Sequence, residues 1–422
     1  MAFESTNPSI IGLANKSWEM NGLQAAGQLM NGLAQHTTVL YVNPQPTYAD
    51  LIKATIGITN EVDITRTYSA KSHLEKIGLS ETASIYVLHP RPALPVNWLG
   101  SSHPFNWTRQ INARRLMDDV CAAMRTLKID QPLLINMGQP EAGLNTGKVL
   151  GEQLSIYYLD GNEAAAPAGS MAEKAENMFI AQADALITNE EHVLTTKKGI
   201  ARHAFLLPDG VNFDFFNQAV GLRSIRQTIQ LSWAARSKTA TRRVAGYIGT
   251  VDDRIDLDLL LYSINHMPNT DFWFIGEIKS KRVDEALSKL SNVWLAGDHP
   301  STVLPEMMAH MDVAIIPFHR NVQPSQTALV NEYLAAGMPV VATTFGNMVD
   351  HIDQIRLAVD EHMFFEQLDE ALYEPYFSID QGIDLARQHT WNKRADQFMS
   401  IINKLTSYHS FAGLSRLTSL AV

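Results

Sequence analysis

Short apolar runs of strand length alternate along this chain with longer stretches of helical spacing, and the alternation starts afresh at residue 244. No other feature limits the fold as strongly. Parallel strands need crossovers of a dozen or more residues, usually a helix, so this rhythm calls for βαβ units and a parallel sheet. In the first half, Ser9–Ala14, Val39–Asn43, Ser84–Leu88, Leu133–Asn136, Ser155–Asp160 and Ala185–Thr188 read as strands. Gly22–Ala34 carries Leu23, Leu29, Met30 and Leu33 at helical spacing, and Ile111–Leu127 carries Leu116, Val120, Met124 and Leu127 on one stripe.

From Asn217 to Arg243 the chain is polar and basic, without a strand pattern. Beyond it, Val244–Ile248, Asp271–Ile275, Asn292–Leu295, Val313–Pro317 and Pro339–Thr343 read as strands, with helices over Leu257–Ile264, Lys281–Leu290, Val303–His310 and Leu329–Ala336. The expected organisation is a Rossmann-like domain over residues 1–210, a linker over 211–243 and a second Rossmann-like domain over 244–385. A helix over 386–408 crossing back toward the first domain follows, and then a tail over 409–422. The fold class is α/β, and the deep crevice between two such domains is the expected ligand site.

A chain of 422 residues with 45% hydrophobic and 18% charged residues has the ordinary globular balance for two cores. Its net charge of −10 argues against a dedicated nucleic-acid binder. Cys121 is the only cysteine, which rules out an intrachain disulfide and a thiolate zinc cluster. Met1–Pro8 does not read as a signal peptide, and no run approaches the roughly 20 apolar residues of a spanning helix. A soluble, cytoplasmic protein, at most peripheral at a membrane, is expected. Gly143–Val149 imitates a phosphate-binding P-loop, but Ala142 stands where the first glycine belongs and Val149 replaces the metal-binding hydroxyl. No G-x-G-x-x-G follows the first strand of either half, and the 14 histidines lack ligand spacing, so neither a dinucleotide cofactor nor a protein-held metal is expected.

The strongest local signal is Asn331-Glu332-Tyr333-Leu334-Ala335-Ala336-Gly337-Met338-Pro339-Val340-Val341. Gly337 suits the left-handed residue that closes a helix, Pro339 prevents continuation, and a buried strand follows. Glu332 lies about one turn into that helix, beyond the carboxyl end of strand Val313–Pro317, where ligands bind open α/β sheets. A glutamate there can accept hydrogen bonds from the two vicinal hydroxyls of a ribose. Alternatively it is a surface acid favoured by the helix dipole. Upstream, Pro324-Ser325-Gln326-Thr327 either caps the helix or presents backbone N–H groups to a diphosphate.

Taken together, Gly246-Tyr247-Ile248-Gly249-Thr250, Asp271–Gly276, Asn292–Gly297, Asp312–Phe318 and Glu332–Val341 resemble, in order and spacing, the C-terminal half of GT-B glycosyltransferases. The resemblance is greatest to bacterial enzymes of extracellular and cell-wall polysaccharide synthesis, the teichuronic-acid type among them. Val39–Pro44, Leu206–Val211 and Trp391 at the start of the last long helix fit more loosely. The resemblance implies that Glu332 binds the ribose, that the helix start at Gln326 and Thr327 faces the diphosphate, and that the Gly297-Asp298 loop lies along the base. Gly249 and Thr250 would approach the phosphates, and Gly lets the backbone come close. Three positions depart from the family pattern. Pro324 replaces a glutamate eight residues before Glu332, and Thr250 and Asp256 stand where Arg and Lys are usual. Arg254 thereby becomes the candidate phosphate cation, unless it pairs with Asp252 or Asp256.

In the first half, Asp160 ends its strand and can act as general base toward an acceptor hydroxyl in an inverting enzyme. In a retaining enzyme it would bind the acceptor, and as a plain loop residue it would cap its own backbone. Glu163 is the alternate base. The connection Asn15–Gly22 is long, and Trp18, Asn21 and Gly22 are read as an acceptor or donor-sugar loop, with core packing the alternative for Trp18. Arg91 of His89-Pro90-Arg91-Pro92 is the candidate cation beside them. Arg109, Arg114 and Arg115 form a basic face suited to solvent or to an anionic lipid. The expected activity is transfer of a sugar from a UDP- or GDP-sugar co-substrate to a glycan or lipid-linked acceptor, with no cofactor and no nucleic-acid partner. A sugar-nucleotide epimerase or a catalytically silent GT-B partner protein are the alternatives.

Overall fold

The computed structural model describes residues 7–18, 25–55, 72–79, 83–94, 103–146, 148–161, 169–225, 242–320, 322, 327–345, 353–373 and 379–419. The chain divides into two compact units, one of Met1–Pro208 with Trp391–Val422 and one of Asp209–Thr390.

In the first unit, strands β1 (Ile10–Ala14), β2 (Val39–Val42), β3 (His73–Gly78), β4 (Ser84–His89), β5 (Leu133–Met137), β6 (Leu154–Leu159), β7 (Ala185–Thr188) and β8 (Ala204–Leu206) form one sheet in the order β3-β4-β2-β1-β5-β6-β7-β8. All neighbours are parallel except β3 and β4. Helices α1 (Ala25–Leu33), α2 (Tyr48–Thr55), α3 (His103–Leu127), α4 (Pro140–Thr146), α5 (Met171–Gln182) and α6 (Glu191–Lys197) make the crossovers. The order reverses between β1 and β5, so the crevice beyond their carboxyl ends is this sheet's switch point.

The second unit opens with α7 (Phe213–Ile225) and builds a sheet from β9 (Arg243–Ile248), β10 (Thr270–Ile275), β11 (Val293–Gly297), β12 (Val313–Ile316), β13 (Val340–Thr343) and β14 (Arg356–Ala358). Its order is β11-β10-β9-β12-β13-β14, parallel throughout, with the switch between β9 and β12. Helices α8 (Leu257–His266), α9 (Lys281–Leu287), α10 (Leu304–Ala309), α11 (Thr327–Ala335), α12 (Glu361–Tyr373) and α13 (Ile379–Gln388) cover it, and α14 (Trp391–Ser419) returns to the first unit.

Apolar alternation places the interior strands well, because β1, β2, β5, β7, β10, β12 and β13 are buried along their whole length. Sequence reading misses β3, β8 and β14. β3 is an antiparallel edge strand whose charged residues leave it without an apolar run. The segment 211–243, expected as a linker, contains α7, whose Phe216 and Ala219 are buried in the second core. Helix α14 also runs well into the expected tail. It belongs to the first unit because Trp391, Ala395, Phe398, Met399, Ile402 and Leu405 join that core. Gly32 of α1 permits the approach: a Cβ there would meet the Ala395 Cβ and the Trp391 carbonyl oxygen, each at 2.9 Å.

Candidate functional site

Three adjacent strands of the second sheet end on glycine. Gly249 follows β9, Gly276 follows β10 and Gly297 ends β11, with φ of 150°, 140° and 75°, a region L side chains rarely adopt. They are stitched by backbone bonds, Gly249 N–H to the Ile275 carbonyl and Gly276 N–H to the Gly297 carbonyl, both 2.8 Å. A Cβ on Gly276 would lie 2.2 Å from the Gly249 oxygen. The result is a side-chain-free ledge at the carboxyl edge of the sheet, the edge where open α/β folds take ligands.

Helix α11 stands beside this ledge. Gly337, at φ 64°, closes its end, and the last carbonyls are capped from α7 by Asn217 on Ala335 (2.9 Å) and by Arg223 on Gly337 (2.9 Å) and Ala336 (3.2 Å). Tyr333 is fully buried, and its phenol oxygen accepts the Ile248 amide hydrogen at 2.7 Å. Glu332, the preceding residue, is half-buried. Burial, followed by the nearby Asp209 carboxylate, pushes its carboxyl up from 4.5 to about 7.

The other residues expected at the nucleotide take varied places. The Thr250 carbonyl accepts from the Tyr247 phenol at 3.0 Å, and Asp298 is exposed just past the ledge. Thr327 is the first residue of α11, and Gln326 lies outside the described residues. Arg254 requires a correction as the phosphate cation. Its Nε sits 2.9 and 3.0 Å from the two oxygens of Asp252, and its guanidinium stacks 5.3 Å over Phe318. The Asp252 charge in its own turn and the Phe318 ring beyond β12 engage it locally. Asp256, where the family pattern has a cation, accepts the Leu259 amide hydrogen at 3.2 Å as the N-cap of α8.

In the first unit, Asp160 follows β6 and Asn189 follows β7. The Asn189 amide donates to Asp160 Oδ1 at 2.9 Å and accepts from Gly161 N–H at 2.8 Å, so Asn189 orients Asp160. Gly161 leaves room for the Glu190 side chain, whose Cγ lies where a Cβ would point. Two sugar-loop candidates require correction. Trp18 is buried, packs edge-on against Tyr41 at 5.1 Å, and donates its backbone N–H to Asn43 Oδ1 at 2.8 Å. An indole buries a large apolar area, and here the β1–β2 core takes it. Arg91 is tied by Nε to Asp119 Oδ1 at 2.7 Å and donates to the Arg115 carbonyl at 3.2 Å, which fastens its loop to α3. Asn21, Gly22 and Glu163 lie outside the described residues.

Sequence reasoning overlooked Tyr333, Asn189 and Gly276. Gly276 was detectable as a glycine directly after a buried strand; the other two act through partners distant in sequence. Among the described residues, no helix is long and apolar enough to cross a membrane.

Residues 242–373 match the family model described as "Glycosyl transferases group 1". Among solved structures, the chain is similar to sucrose-phosphate synthase from Thermosynechococcus elongatus (14% identity, 95% of this chain and 100% of that one, TM-score 0.60). It is similar to α,α-trehalose 6-phosphate synthase from Burkholderia multivorans (12%, 96% and 100%, 0.63). Anabaena Alr3699/HepE, solved in complex with UDP and glucose, matches at 12% identity over 94% of this chain and 100% of that one, with TM-score 0.60. No curated protein sequence matches. The chain thus has the GT-B glycosyltransferase fold, and residues 242–373 of its second unit match the group 1 glycosyl transferase model.

Proposed function

We propose that the protein transfers a sugar from a nucleoside-diphosphate sugar, with UDP or GDP as the leaving group, to a hydroxyl of a glycan or lipid-linked acceptor in polysaccharide or cell-envelope assembly. The observation that carries the reading is Glu332. It is a half-buried carboxylate one residue from a phenol anchored beside the glycine ledge, inside the group 1 match. Burying a carboxyl costs stability unless a partner uses it, and two ribose hydroxyls are suitable donors. The ledge then lets the diphosphate approach the backbone closely where Gly249 has no Cβ, beside Thr250, with the start of α11 adding its dipole. The UDP and glucose held by HepE support a nucleotide-sugar donor.

In the first unit, Asp160 takes the acceptor's proton if the reaction inverts, or holds the acceptor if it retains. Its hydrogen bond from Asn189 orients the carboxylate for either role. A lipid-linked acceptor would bring the protein to a membrane surface.

The test is a thermal-shift screen of UDP, GDP, ADP and their hexose conjugates on the full chain and on Glu332→Ala. A bound nucleotide at 100 times its Kd adds about 2.7 kcal/mol of stability, and the variant should require a higher concentration for the same shift. Release of the nucleoside diphosphate that depends on added acceptor then separates transfer from epimerisation. No stabilisation by any nucleotide would refute the reading.

A further inference from the structure

We infer that Tyr333 is a positioning residue for nucleotide binding, whose phenol fixes the distance between the ribose and diphosphate subsites. The inference rests on the nucleotide reading above. Glu332 and Gly249 lie on different elements, α11 and the end of β9. Tyr333 immediately follows Glu332, and Ile248 immediately precedes Gly249. The 2.7 Å bond from the Ile248 amide to the Tyr333 hydroxyl therefore joins the two subsites through one buried contact.

The backbone explains why that amide is available. β12 pairs with β9 at Ala245 and Gly246 and its register does not reach Ile248, whose pairing with Ile275 of β10 lies on the other side. A buried N–H left without a partner costs about 1–3 kcal/mol, and Tyr333 satisfies it. The phenol is fully buried, and burial raises its pKa well above the ordinary value, so its proton stays on. A second phenol acts on the same turn from below. Tyr247 donates to the Thr250 carbonyl at 3.0 Å, and its oxygen would lie 2.7 Å from a Cβ on Gly249. Gly276 closes the opposite side against the Gly249 backbone. The turn is thus held by Tyr247 from its own strand and by Tyr333 from the helix bearing the ribose carboxylate. With Asn217 and Arg223 capping the far end of α11, the helix is fixed at two points along its length.

The experiment measures calorimetric affinities of the full chain for UDP, GDP and ADP and for the matching nucleosides, and repeats the tightest pair on Tyr333→Phe. If the phenol sets the spacing, the nucleotide, which spans both subsites, loses five- to tenfold in affinity. The nucleoside, which occupies one, changes less than twofold. Tyr247→Phe should move the same ratio in the same direction, by less. An unchanged ratio in folded Tyr333→Phe overturns the inference even if the melting temperature falls, because that is what a purely structural hydroxyl does. Failure of the wild-type chain to bind any of the nucleotides overturns the nucleotide reading itself. Should Tyr333→Phe not fold, hydrogen exchange on the wild-type protein decides. Nucleotide must slow exchange at residues 248–250 and in α11 together, and independent responses of the two segments overturn the inference.

Discussion

At Glu332 the requirements of folding and of ligand binding pull in opposite directions. Burial and the Asp209 carboxylate raise its carboxyl from 4.5 to about 7, so the folded chain keeps a proton that the unfolded chain releases. The stability contributed by this group is complete below pH 4.5 and is lost as pH rises through 7, with a slope of at most about 1.4 kcal/mol per pH unit. Ribose hydroxyls prefer the ionised form, so nucleotide affinity should rise over the same interval. Glu332→Gln is expected to flatten both profiles and to stabilise the apoprotein at pH 8, while weakening nucleotide binding by about 1–3 kcal/mol. Calorimetric Kd and urea midpoints at pH 5.5 and 8 check this, and parallel pH trends in wild type and variant would count against it. On the first unit, Asp160→Asn keeps the shape but cannot accept a proton. Turnover should fall on the order of 10²–10⁴-fold with donor affinity nearly intact if the residue is the base. A retaining enzyme would instead show raised acceptor KM with little change in kcat. Asp160 was legible as a candidate because it directly follows a strand, and Glu332 because it sits inside a helix whose stop at Gly337 the sequence announces. The corrections at Arg254, Arg91 and Trp18 arise because a charge or ring has near neighbours that periodicity does not name.

Among the elements, α11 and the glycine ledge form one unit with separable supports. Arg223→Ala removes both guanidinium bonds to the last carbonyls of α11 and should cost about 1–3 kcal/mol by urea titration. Its effect on nucleotide binding should be smaller than that of Tyr333→Phe, since Arg223 touches the far end of the helix. Gly276→Ala meets two obstacles at once, a φ of 140° and a backbone oxygen 2.2 Å from the new Cβ. A loss of roughly 1–3 kcal/mol is expected, and near-wild-type stability would show that the turn can relax. Interior strands were readable because full burial on both faces leaves an unbroken apolar run. The edge strand β3 and the short β8 and β14 lack that run. Helix α7 escaped notice because its phenylalanines are followed directly by a polar, basic stretch, although its inner face is buried.

Across the whole molecule, the last helix completes the first unit's core. Phe398 is fully buried there, and Phe398→Ala should destabilise that unit by about 3–5 kcal/mol. Hydrogen exchange localises the effect: protection should fall in β1 and α1 and stay unchanged in β9 and β10. Equal loss in both units would mean that the two unfold as one. By itself the sequence determined the two α/β halves, most interior strands, the helix stop at Gly337 and the candidate carboxylates Glu332 and Asp160, because periodicity and turn chemistry are local properties of the chain. Tertiary structure alone decided which side chains are occupied by their neighbours, and that a phenol 85 residues from Ile248 secures the end of β9. Such pairings depend on where strands and helices are brought together in space, and no local spacing of residues records that.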